Sequence, residues 1–180
     1  LHNEAFVALA RYCQRDREER KHDATNSSKD NTPISKDTKD PNVFYLDGPD
    51  AATSSILIDT HGFNPKSCYT ANRHISTCNI LQNILPNENV IHATVSEALS
   101  PPLDNNDDDD GDPSFFNIDF SAYYFDGCGG YAPHLISMIT SALIRPGSSL
   151  HQHQHQHQTT AIGYSLMGGN KDVIQKDLDI

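Results

Sequence analysis

Cations are scarce along most of this chain. Of its 13 Lys and Arg residues, eight (Arg11, Arg15, Arg17, Arg20, Lys21, Lys29, Lys36 and Lys39) precede residue 41, where eight acids offset them. Between 41 and 170 only Lys66, Arg73 and Arg145 remain. A nucleic-acid surface needs several phosphate-facing cations, so direct binding of DNA or RNA without a partner is disfavoured. Long apolar runs are missing as well: no stretch reaches 18 apolar residues, which excludes a membrane-spanning helix. The four cysteines, Cys13, Cys68, Cys78 and Cys128, contain no C-x2-C pair and are too few for a disulfide scaffold in 180 residues. They read as free thiols in a reducing compartment, hence an intracellular setting, cytoplasmic or nuclear. A Ser–His–Asp set and a paired-carboxylate set are also lacking.

The mean hydropathy of -0.57 is low, but unevenly spread. Three segments, 22–42, 100–114 and 146–160, carry almost no apolar residues. Without them roughly 130 residues remain, enough for a single core. The net charge of -11 is local too. Asp104, Asp107, Asp108, Asp109, Asp110 and Asp112 form one tract, without which the balance is -5.

Residues 3–21 have the periodicity of a helix, with Phe6, Val7, Leu9, Ala10 and Cys13 as its stripe and Asn3 as its cap. Residues 22–42 have a linker's composition. From 43 the pattern changes to short apolar strands at 43–46, 68–71, 90–93, 115–125 and 161–167. Helical stretches at 51–60, 75–85, 96–99 and 132–144 separate them, and the tail from Lys171 opens as one more. This alternation predicts βαβ units: an α/β, three-layer domain with a mostly parallel sheet of about five strands flanked by helices. The organisation expected is an N-terminal helix (1–21), a flexible linker (22–42) and a domain over 43–180 with low-complexity insertions at 100–114 and 148–160.

Ligands of open parallel sheets bind beyond the carboxyl ends of the strands. Four short sequences are thereby selected: 47–53, 72–74, 93–94 and 126–131. The order and spacing of these elements over 43–170 resemble the Rossmann-like (class I) S-adenosylmethionine-dependent methyltransferases. Leu46-Asp47-Gly48-Pro49-Asp50-Ala51 stands where that family has an acidic, glycine-bearing first loop. Asp126-Gly127-Cys128-Gly129-Gly130-Tyr131 stands where its fourth strand ends in a motif running from Asp or Asn to an aromatic. The resemblance implies S-adenosylmethionine as cofactor, with Asp47, Gly48, Pro49, Asp50, Ala51, Asn72, Arg73 and Ala93 as its binding residues and Asp126 and Tyr131 as catalytic ones. The chain departs from the family in having one glycine instead of three in the first loop. It also has Asn72-Arg73 where an acid normally meets the ribose hydroxyls, and it lacks a sixth and seventh strand. It therefore reads as a divergent or truncated member. The methyl acceptor implied is a small molecule, a protein side chain, or a nucleic acid held by a partner.

Two rivals follow from the same residues. A non-catalytic Rossmann-like binding or assembly module explains the reduced first loop. A nicotinamide-dinucleotide oxidoreductase shares the fold, and Arg73 would meet a 2′-phosphate, but G-x-G-x-x-G is absent. The alternating tract from His151 to His157 and the Asp run read as low-complexity loops, not metal sites. Among the single histidines only His74, beside the end of the second strand, stands near the predicted site. Cys128 has no neighbouring cation to lower its pKa and is expected to be dispensable.

Overall fold

The densest apolar residues form five strands: β1 (Val43–Tyr45), β2 (Cys68–Ala71), β3 (Val90–Ile91), β4 (Ala122–Gly127) and β5 (Ala161–Leu166). In the computed structural model, which describes residues 2–25, 40–101, 114–127, 133–144 and 159–166, every pairing is parallel and the order is β3-β2-β1-β4-β5. Tyr45 of β1 lies opposite Thr70 of β2 on one side and Tyr124 of β4 on the other. The chain therefore builds outward from β1 in one direction and then in the other. This is an open, all-parallel α/β sheet of the Rossmann-like type.

Parallel strands with helical crossovers are buried on both faces, and the side-chain alternation separates two cores. On one face Val43, Tyr45, Cys68 and Val90 meet helices α1 (His2–Thr25) and α3 (Ile75–Leu81), together with Leu57. Leu57 lies in the π-helical turn Ile56–Thr60 that continues the single turn of α2 (Ala52–Ser55). On the other face Phe44, Ala71, Ile91, Tyr123 and Phe125 meet α4 (Val95–Leu99) and α5 (Pro133–Ile144). Phe44 is the hub of that side. Its ring lies 5.8 Å from Phe120 and 6.1 Å from Phe115, in the edge-on geometry that aromatic quadrupoles favour.

The larger differences between expected and observed elements are these. The first helix runs on to Thr25 instead of ending at 21, and it packs as one layer of the sheet through Phe6, Val7, Ala10 and Cys13. The strand expected over 115–125 is β4 at 122–127: it starts opposite Val43 of β1 and Ala161 of β5 and runs past β1 by pairing with β5. Residues 115–121 instead fold beneath α4, with the Phe115 amide donating to the Ala98 carbonyl at 2.7 Å and both Phe115 and Phe120 buried. The helix expected over 75–85 ends at Leu81 and continues as turns to Leu85. The strand expected over 90–93 stops at Ile91, and Thr94 then caps α4 in a reciprocal pair with Glu97. The acidic and histidine tracts, Cys128, Tyr131, most of the linker and the tail from 167 lie outside the described residues.

One side chain joins α1 to the amino ends of β4 and β5. Arg17 is buried, and its guanidinium donates to the Thr159 and Phe120 carbonyls, the Thr160 hydroxyl and the Asp119 carboxylate. Asp119 is half exposed, so the ion pair adds little by itself; the fork of donors to buried acceptors matters more. Arg17→Met should lower the unfolding free energy by about 3 kcal/mol, by leaving those acceptors unpaired. Arg17→Lys should recover less than half, since an ammonium cannot reproduce the planar fork. Urea unfolding of the three proteins measures both.

Candidate functional site

The carboxyl ends of β1, β2 and β3 open into a cavity of about 750 Å³, a size suited to a nucleoside-scale ligand. Its walls come from the loop after β1 (Leu46 to Thr53), the loop after β2 (Ala71 to His74), the segment 93–96 and one turn of α5 at Ser137 and Met138.

The first loop is folded around a carboxylate. Asp47 is buried, and its Oδ1 accepts from the amides of Gly48 (3.0 Å) and Thr53 (3.2 Å), its Oδ2 from that of Ser54 (2.8 Å). The chain reaches this geometry by a turn in which the Ala51 amide donates to the Gly48 carbonyl. Ala51 itself is left-handed at φ 50°, a conformation costing a non-glycine residue about 1 kcal/mol. Ser54 continues the network, its hydroxyl 2.8 Å from that of Tyr45 in the core. Burial pushes the Asp47 carboxyl above the usual aspartate range, although its hydrogen bonds from Ser54, Thr53 and Gly48 pull the other way.

A second set of bonds ties this loop to the end of β2. Asn72 donates through Nδ2 to the Asp47 carbonyl (3.0 Å) and accepts through Oδ1 from the His74 amide (2.8 Å). The Cys78 thiol donates to the Asn72 carbonyl at 3.3 Å, and His92 Nε2 lies 3.1 Å from the Arg73 carbonyl. Across the cavity the hydroxyls of Ser96 and Ser137 meet at 3.0 Å, linking α4 to α5.

Of the residues predicted to bind a cofactor, Asp47, Gly48, Asp50, Asn72, Arg73 and Ala93 line the cavity. Pro49 is exposed outside it, and Ala51 is buried beneath it. Asp126 lies at the carboxyl end of β4, opposite Ser165 of β5 and two positions beyond the last residue paired with β1. Tyr131 lies outside the described residues. The sequence reading missed Ser96, Ser137 and Met138; only the packing of α4 on α5 brings them to the wall. Cys13, Cys68 and Cys78 are free, and burial raises all three thiols, Cys68 to about 12. None of these three is poised as a nucleophile. Among the described residues no three His, Cys, Asp or Glu side chains form a group able to hold a metal ion, and no helix is long and apolar enough to cross a membrane.

Comparison of the chain with protein-family models, with curated proteins and with solved structures gives no match. The arrangement must therefore be read from its own chemistry.

The first consequence concerns pH. A carboxyl whose pKa is raised on folding binds its proton more tightly in the folded chain than in the unfolded one. Asp47 therefore makes stability fall as pH rises from about 4, the unfolded value, through its raised folded value, and contributes no slope above that. Asp47→Asn should be less stable at every pH, because its amide N–H2 would face backbone donors. It should also lack that decline. Urea unfolding of both proteins between pH 3 and 7 isolates the difference, and parallel curves would contradict it.

Proposed function

We propose that the cavity binds S-adenosylmethionine and that the chain is a methyltransferase-like domain. The observation that carries this reading is how Asp47 closes the first loop. In phosphate-binding Rossmann-like sites, backbone amides after the first strand are left open to an anion. Here the amides of Gly48, Thr53 and Ser54 already serve a carboxylate. With Asp50 also on the wall, this corner repels a pyrophosphate and favours a positively charged group. That preference speaks against a nicotinamide dinucleotide and for a ligand carrying an ammonium and a sulfonium.

The residues present fit such a ligand. Asp50 offers its carboxylate to the ammonium, and Gly48 lets a ligand approach the backbone. Asn72 and Arg73 stand at the end of β2 for the sugar, while Ala93, Val95 and Met138 give an apolar surface for a ring. The bound cofactor supplies a methyl group on positively charged sulfur. The chain's own task is to hold the two reactants in line and exclude water, which requires no acid–base pair. Asp126, at the carboxyl end of β4, is the proposed acceptor-side residue. The methyl acceptor belongs to a small molecule or protein side chain, given the scarcity of cations.

Calorimetric titration with S-adenosylmethionine and S-adenosylhomocysteine tests the reading. Both should bind, and NAD and NADP should bind at least tenfold more weakly. Failure of both sulfur ligands would overturn it, whereas binding without transfer to any acceptor would make the chain a non-catalytic module.

Variants separate the roles. A Cβ at Gly48 would come within 3.1 Å of Asp50 Oδ1, the tip of an exposed side chain. Gly48→Val should therefore keep the far-ultraviolet circular dichroism of the parent while losing cofactor binding. Asp126→Ala should abolish transfer yet leave cofactor affinity within about tenfold, roughly 1.4 kcal/mol.

A further inference from the structure

Of the four arginines of α1, Arg15 is exposed on the helix surface and the other three are spent on the fold. Arg17 is buried among acceptors, Arg20 pairs with Asp16, and Arg11 donates to the His61 carbonyl and lies over the Phe63 ring. Arg73 is different. Among the described residues it is the only Lys or Arg that lines the cavity, and no carboxylate lies within ion-pair distance of it. Its Nε donates to His74 Nε2 at 3.3 Å, and among the described residues neither terminal nitrogen of the fork has a hydrogen-bond partner. Because His74 accepts at Nε2, a neutral ring carries its proton on Nδ1 as one more donor. Around them, Asn72 Oδ1 accepts from the His74 amide, and the Arg73 carbonyl lies 3.1 Å from His92 Nε2. A lone arginine fork beside an imidazole, on the wall of a cavity in a chain of net charge -11, is matched by an anion that presents two oxygens to it.

We propose that Arg73 and His74 form an anion subsite at the β2 corner of the cavity, which takes a phosphate or carboxylate carried by the bound ligand. The proposal rests on the cavity of the preceding section but not on the identity of its cofactor. The cavity then has two unlike corners: Asp47 and Asp50 after β1 favour positive charge, and Arg73 with His74 after β2 favours negative charge. A ligand carrying both signs is held in one orientation. The two sources of the anion are a phosphate on the ribose and the carboxylate of an amino-acid moiety.

Calorimetry of the whole chain and of Arg73→Gln distinguishes them, with pairs of ligands that differ in the anionic group. One pair is adenosine against its 2′- and 3′-monophosphates; the other is 5′-methylthioadenosine against S-adenosylhomocysteine. The parent should bind the anionic member of at least one pair ten times more tightly or better. In Arg73→Gln that ratio should collapse towards one for the first pair and fall to the part that the ammonium supplies for the second, and in the parent it should shrink as salt is raised. An unchanged thermal midpoint would show that the variant is folded, as expected for an exposed side chain. Collapse in the first pair assigns a ribose phosphate, and the fall in the second assigns the carboxylate. Ratios that are equal in parent and variant for both pairs overturn the subsite. If S-adenosylhomocysteine fails to bind while a monophosphate shows the Arg73-dependent gain, the subsite stands and the S-adenosylmethionine reading falls.

Discussion

Strand β1 is three residues long, yet it is hydrogen-bonded along both edges and covered on both faces. Val43 and Tyr45 face one core and Phe44 the other, so neither layer of helices is optional. Because β2 and β4 flank it in parallel, the sheet grows from β1 in both directions. The loop leaving its carboxyl end sits near the place where strand order reverses. The chain leaves β1 at Tyr45 and enters α2 at Ala52, so the turn between them has to be compact. The compact fold of residues 46–54 follows from that demand.

Asp47 answers it. A carboxylate under the loop satisfies three amides that an abrupt strand-to-helix turn would leave unpaired, at the expense of burying charge. In the proposed reading the same bonds set the preference of this corner of the cavity, since amides held by a carboxylate are unavailable to a phosphate. Local folding and ligand preference thus share one set of contacts. Asn72 extends the set to β2 by bonding to the Asp47 carbonyl and the His74 amide, which holds Arg73 and His74 against the cavity's second corner.

Much of this was legible in the sequence because the apolar pattern changes period. Runs such as Val43 to Leu46 and Cys68 to Ala71 are too short for helices and end in turn residues, and the rule that ligands sit beyond carboxyl ends then selects 47–53, 72–74 and 93–94. The role of Asp47 was not legible. An Asp before Gly reads equally as a ligand contact or a turn former, and only the burial of its carboxylate distinguishes the two. Ser137 and Met138 escaped because their helix signals only an apolar stripe; the face it turns to the cavity depends on α4, 40 residues earlier. The irregular path of 115–121 was hidden for a similar reason: its aromatics suit a strand, but β1 and β5 both begin opposite Ala122.

The central claim is that the loops after β1, β2 and β3 form one ligand site that takes S-adenosylmethionine. Hydrogen–deuterium exchange with and without saturating S-adenosylhomocysteine tests it most directly. The account predicts slowed exchange in three separate segments, 48–54, 72–74 and 93–96, with little change in α1 or β5. Unchanged exchange in all three, or protection confined to one of them, would contradict it.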